Sequence, residues 1–366
     1  MAAASATFRV GPATFAIDGA DRVARLTRDM FTDAAAATDT TDVRLRVGPA
    51  DEVDDVVRSM TNQRFPYRFD TATRTQGARW RMRTRGGRPL LTVDLHGFPV
   101  TAVPWSATAT LHVPPLLARA APFARLPAAI SGHRLDHVFV TLLTDVLEPL
   151  LWLTLLDHRS MLLHAGAAQS PSGNGVLLIG TSHAGKTATV LELAINRGWN
   201  FVGDDLVVVG ADGMIRLPKT IHLRRHHARL VANLPSGAFR RRRRTVHRQV
   251  APSVLLPASR IVADAPVSTV IRLVTTPAGR PEVVPLAREV MIRQAVAGMF
   301  DEYWQFMRAM NSITAIDDRA AELGTIYDHT CAALASAVGT GPVLELRVPA
   351  GAPAADVADV VADVAG

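Results

Sequence analysis

Eight consecutive residues carry the clearest chemistry in this sequence. Gly180, Thr181, Ser182, His183, Ala184, Gly185, Lys186 and Thr187 satisfy G-x-x-x-x-G-K-[ST] in full. A loop of this kind curls its backbone N–H groups round phosphate oxygens, and the following helix N-terminus adds partial positive charge. The lysine ammonium neutralises the β- and γ-phosphates, and the Thr187 hydroxyl suits a magnesium ion. ATP with Mg2+ is the expected ligand pair. Histidine at 183 stands where glycine is common, so its side chain fits only if the backbone avoids positive φ or the ring points outward.

Two carboxylates follow. The pair Asp204-Asp205 begins eighteen residues after Lys186. One carboxylate beside a phosphate site can hold magnesium, directly or through water, and the other can take a proton from an attacking hydroxyl. Adjacent strand residues point to opposite faces, so the two need not share a task. Upstream, His164 sits between Leu163 and Ala165 in an apolar run. It reads as a core histidine or as a group reaching toward the γ-phosphate.

The flanking segments have the rhythm needed to position these groups. Met161–Gln169 reads as an apolar strand, Ser170–Gly175 as a turn and Val176–Gly180 as a short buried strand, together a hairpin. Lys186–Arg197 has helical spacing, with Gly198 as its stop. Phe201–Gly210 reads as a single strand that carries the aspartate pair. Ala211-Asp212-Gly213 then turns the chain into a second hairpin. Further on come a strand at Thr269–Thr275, helices at Ala287–Phe306 and Asp317–Ala337, a strand at Val343–Val348 and a helix at Ala354–Val364.

The first third differs. ATFRV, ATFAI, VRLRV, YRFDTAT, ARWRMRT, LLTVDL and ATLHV are β-rich and are punctuated by Gly and Pro, with one helical stretch at Asp51–Asn62. We divide the chain into a β-rich domain of unknown role over 1–134 and a P-loop domain over 135–366. The window Val138–Leu156 is apolar enough to span a bilayer, but it contains Asp145, Glu148 and Pro149. A buried helix broken near Pro149 fits it better, and no membrane association is expected.

Composition narrows the function. Of 366 residues, 48% are hydrophobic, which supports a real core. The single cysteine, Cys331, makes neither an internal disulfide nor a cysteine-based metal site, and a reducing cytoplasm is the expected compartment. The start of the sequence has no basic stretch followed by an apolar run, so it does not read as a secretory signal. The net charge of +7 owes much to Arg240–Arg244, read as a solvated loop or as a basic loop meeting an acidic or phosphorylated ligand. Without interleaved aromatics or a helix-turn-helix pattern, nucleic acid is not favoured as a partner.

The segment from Leu162 to Val209 resembles the HPr kinase/phosphorylase C-terminal domain and its related kinases. It shares a histidine ahead of the P-loop strand, the P-loop, a helix ending in Arg197-Gly198 and a strand opening with Asp204-Asp205. The likeness is clear over about residues 160–210. It implies an α/β (α+β) fold, a phosphoenolpyruvate-carboxykinase-like P-loop kinase domain, and transfer of the γ-phosphoryl group of ATP to a serine-like hydroxyl. The acceptor would be a peptide, a protein or a small molecule. The resemblance further implies Asp205 as general base, Asp204 near magnesium and His164 as an assistant. The glycine-rich signature of HPr kinases proper is absent, and Leu217-Pro218-Lys219-Thr220-Ile221-His222 stands in its place. The chain is therefore more similar to the related kinases of natural-product precursor peptides or free serine. The alternatives are a nucleotide-binding partner protein without catalysis and a different phosphate reaction on the same fold. The N-terminal domain would select the acceptor or support a homo-oligomer.

Overall fold

A computed structural model describes residues 4–19, 43–48, 90–96, 106–111, 148–224, 227, 230, 247–303 and 319–366. They contain mixed α and β structure in two compact units, 1–158 with 303–326 and 159–302 with 327–366.

The first unit is built on alternating, β-branched sequence. Strands β1 (Ala4–Val10) and β2 (Ala13–Gly19) form a hairpin closed by Gly11 and Pro12. Strands β3 (Val43–Gly48), β4 (Leu90–His96) and β5 (Ser106–Leu111) complete a five-stranded sheet. Helix α1 (Glu148–Asp157) keeps Glu148 and Pro149 in its first turn, where proline's missing N–H costs nothing. Trp152 and Leu155 of this helix are fully buried, and Trp152 stacks at a tilt on Tyr303, with ring centroids 5.7 Å apart. The expected helix at Asp51–Asn62, the strands YRFDTAT and ARWRMRT, and Arg240–Arg244 lie outside the described residues. Among those residues, no helix is long and apolar enough to cross a membrane.

The second unit begins with β6 (Ser160–Leu163), β7 (Ala165–Gln169) and β8 (Gly175–Gly180), followed by α2 (Lys186–Asn196). Next come β9 (Asn200–Gly203), β10 (Val207–Gly210), β11 (Gly213–Arg216), β12 (Ile221–Arg224) and β13 (His247–Val250). The chain continues through the short α3 (Pro252–Leu255), β14 (Asp264–Ala265), β15 (Thr269–Thr276) and β16 (Glu282–Pro285). It ends with α4 (Arg288–Glu302), α5 (Arg319–Val338, of which 327–338 belong to this unit), β17 (Val343–Pro349) and α6 (Ala354–Ala365).

These strands form a six-stranded sheet, ordered β16-β17-β15-β8-β7-β9, a four-stranded sheet, β14-β11-β10-β6, and the β12–β13 pair. In the larger sheet β8 runs parallel to β15 and antiparallel to β7. Val176, Leu177, Leu178 and Ile179 are all buried, so both faces of β8 are covered. That explains its continuous apolar run. Val190, Leu191, Leu193 and Ala194 of α2 pack with Val357, Ala358 and Val361 of α6 in the core over this sheet. Each fully buried Val or Leu side chain there contributes about 2 kcal/mol.

Two expectations need correction. Met161–Gln169 is two strands broken at His164, and Phe201–Gly210 is two strands broken at Asp204–Leu206. In both cases the chain leaves one sheet and enters the other. β6 pairs with β10, with Leu163 opposite Val207, and β7 pairs with β9, with Ala167 opposite Gly203. The two breaks therefore lie side by side.

Candidate functional site

The paired sheet crossings place His164 next to Asp205. Aspartate is disfavoured within strands and tolerates left-handed backbone, and Asp205 adopts φ +69°. The Leu206 amide donates to the Asp204 carbonyl at 2.8 Å, closing the tight turn. Nε2 of His164 stands 3.7 Å from Oδ1 of Asp205, while its Nδ1 is 3.3 Å from Oε2 of Glu302. The His164 amide also donates to the Met299 sulfur at 3.2 Å, which ties this crossing to α4.

The loop 180–187 joins β8 to α2 as expected. Gly180 has φ +150°, and a Cβ there would lie 2.6 Å from the Leu273 carbonyl oxygen of β15. Gly185, the N-cap of α2, has φ +99°, and no side chain caps this helix. Its first-turn amides are thus available to an anion. Thr181, Ser182 and His183 are exposed and Ala184 is buried. His183 has φ +70°, so of the two ways of fitting a side chain there, the outward-pointing one holds. Its Nδ1 lies 2.5 Å from Nη1 of Arg224 on β12. Nδ1 accepts in that contact, because guanidinium nitrogens only donate.

Lys186 is 6% exposed. Its Nζ donates to the carbonyls of Gly180 at 2.7 Å and Thr181 at 3.1 Å, folding the side chain back under its own loop. Burial draws the ammonium's pKa down, against the attraction of Asp204, Asp205 and Glu302.

The two aspartates behave differently. Asp204 is 6% exposed, and neither carboxylate oxygen makes a well-formed hydrogen bond. Burial and the Asp205 charge push its pKa up to about 6, while the Thr187 hydroxyl, the Asp205 amide and Lys186 pull the other way. A buried carboxylate left this poorly satisfied beside the P-loop threonine fits a hard cation. Among the described residues, no group of three or more His, Cys, Asp or Glu is arranged to cage a metal. Thr187 and Asp204 would suit a magnesium ion that takes its remaining ligands from outside the protein, which needs no such cage.

Asp205 is more open, with its side chain 38% exposed. Nζ of Lys219 approaches its Oδ2 at 2.6 Å. Burial raises its pKa, but Lys219, through charge and a hydrogen bond, and His164 hold the carboxyl well below the usual carboxylate range. Glu302 is also held low, first by its hydrogen bond to His164.

Sequence reasoning missed Lys219 and Glu302. Lys219 lay in the segment singled out only for lacking a glycine-rich signature. Glu302 closes α4 beside Asp301, whereas the sequence pattern ran that helix on to Phe306 and so gave Glu302 no special place. Cys331 is half-buried, and burial pushes its thiol pKa up, so it does not resemble a nucleophile.

No protein-family model and no curated protein matches the sequence. Among solved structures, the chain is similar to the Hpr(Ser) kinase/phosphatase from Coxiella burnetii, at 20% identity over 34% of this chain and 78% of that one, with a TM-score of 0.22.

Proposed function

We propose that this protein is an ATP- and magnesium-dependent phosphotransferase acting on a serine-like hydroxyl of a peptide, protein or small molecule. One observation carries the reading. A complete P-loop, a buried and poorly satisfied carboxylate (Asp204) and a more open ionised carboxylate (Asp205) occupy one electrostatic neighbourhood around Lys186.

In this reading the loop amides and Lys186 bind the phosphates, and Thr187 and Asp204 hold magnesium. Magnesium, when bound, screens the phosphate oxygens. The acceptor oxygen attacks the γ-phosphorus, and its proton passes to Asp205. The bond to the bridging oxygen breaks, and its electron pair leaves with ADP. His164, steadied by Glu302, stands beside the base. Positioning and charge neutralisation supply most of the rate. A cytoplasmic setting suits this nucleotide chemistry.

A second reading, nucleotide binding without transfer, draws on the tight Lys219–Asp205 pair, which makes Asp205 a weak base. The test is incubation with γ-labelled MgATP and either free serine or serine-containing peptides. Wild type is expected to release or transfer label, Asp205→Asn to bind nucleotide without doing so, and Lys186→Ala to do neither. Binding without label release above the Asp205→Asn level would favour the second reading. Absence of binding would sink both.

A further inference from the structure

Lys219 occupies a position that the P-loop chemistry does not account for. It stands between β11 and β12, where its amide donates to the Leu217 carbonyl at 2.6 Å in a tight turn. Its side chain is 9% exposed. The two lysines of the site hold different groups. Lys186 is bonded to the loop carbonyls of Gly180 and Thr181, whereas Nζ of Lys219 lies 2.6 Å from Oδ2 of Asp205. The other oxygen of that carboxylate, Oδ1, is 3.7 Å from Nε2 of His164, beyond hydrogen-bond reach. One oxygen is held and the other keeps accepting capacity.

We infer that Lys219 is the positioning residue of the transfer site: by holding Oδ2 of Asp205 it directs Oδ1 toward the acceptor hydroxyl. This rests on the phosphotransferase reading. Asp205 sits on left-handed backbone at a sheet crossing, and its side chain is 38% exposed. Its surroundings alone therefore do not lock the carboxylate, and a charge-assisted hydrogen bond from a buried, turn-anchored lysine does. In the transfer step the acceptor O–H bond breaks and its proton goes to Oδ1. The new O–P bond forms as the bond to the ADP oxygen breaks. Lys219 gains and loses no proton. Its role is to keep the accepting oxygen within reach, where a displacement of about 1 Å costs on the order of 10²-fold in rate.

The experiment is steady-state turnover of MgATP with water as the acceptor, for wild type, Lys219→Met, Lys219→Arg, Asp205→Asn and the Lys219→Met/Asp205→Asn double variant. MgATP affinity is measured on each. Lys219→Met is expected to lower kcat on the order of 10²-fold with KM changed by less than about twofold. Lys219→Arg, which keeps the charge and the donor, should recover part of the loss. The double variant should be no slower than Asp205→Asn, because the lysine acts only through the aspartate. Unchanged kcat in Lys219→Met overturns the inference and leaves the phosphotransferase reading intact. So does a loss confined to MgATP affinity, which would make Lys219 a phosphate ligand. A wild type that turns over no faster than Asp205→Asn overturns both.

Discussion

Asp204 carries an electrostatic conflict that the bare protein does not relieve. Its pKa is pushed from an ordinary 3.8 to about 6 by burial and by Asp205. A carboxyl whose folded pKa exceeds its unfolded one contributes stability that is complete below the unfolded value and lost as pH rises through the folded one. At pH 7, without nucleotide, the ionised Asp204 therefore weakens the fold, by on the order of 3 kcal/mol. Asp204→Asn should accordingly stabilise the ligand-free protein at pH 7. The gain should shrink as pH falls through about 6 and vanish near pH 4. Urea titrations across that range, with chelator present, would show it; a gain independent of pH would rule the account out. The same variant should lose magnesium-dependent nucleotide binding, a trade of stability against function. His183 poses a smaller conflict, because a non-glycine residue at φ +70° costs about 1–2 kcal/mol. His183→Gly relieves that cost but adds freedom to the unfolded chain, so a net gain of about 0.5–1 kcal/mol is expected in the same titration.

At the scale of elements, the P-loop strand lies against β15 with no space for a side chain at its end. A Cβ on Gly180 meets the Leu273 carbonyl at 2.6 Å, while one on Gly298, exposed in α4, meets nothing within 4 Å. Gly180→Ala should destabilise by about 2 kcal/mol or more and weaken MgATP binding. Gly298→Ala should add about 0.5–1 kcal/mol, since alanine is the better helix former. A Gly180→Ala variant as stable as Gly298→Ala would mean that the loop accommodates a methyl group and that β15 does not brace it. The elements also explain what sequence could and could not reveal. Val176–Gly180, Lys186 to Asn196 and the Ala211-Asp212-Gly213 turn were legible because periodicity and turn chemistry are local. The breaks at His164 and at Asp204–Leu206 were hidden, because apolar residues continue on both sides and only pairing with β10 and β9 tells one sheet from the other. Lys219 and Glu302 were hidden for a different reason. Each is distant in sequence from the group it holds, 14 residues from Asp205 and 138 from His164.

For the whole molecule, the division into two compact units makes a thermodynamic statement. The P-loop, both aspartates, His164, Lys219 and Glu302 all lie in the unit formed by 159–302 and 327–366. The other unit holds the five-stranded sheet and Trp152, whereas Trp199 is in the P-loop unit. A ligand stabilises only what unfolds with its site, by RT ln(1 + [L]/Kd), or about 2.7 kcal/mol at 100 times Kd. Scanning calorimetry is expected to show MgATP raising the transition of the P-loop unit, with Lys186→Ala abolishing the rise. Tryptophan fluorescence of wild type compared with Trp152→Phe and with Trp199→Phe assigns each transition by difference, because both indoles are buried. If MgATP moves the transition reported by Trp152 as far as that reported by Trp199, the two units unfold as one and nucleotide stabilises the entire chain. If it moves the Trp152 transition alone, the nucleotide is not at the P-loop, and the site built around Lys186 and Asp205 is wrong.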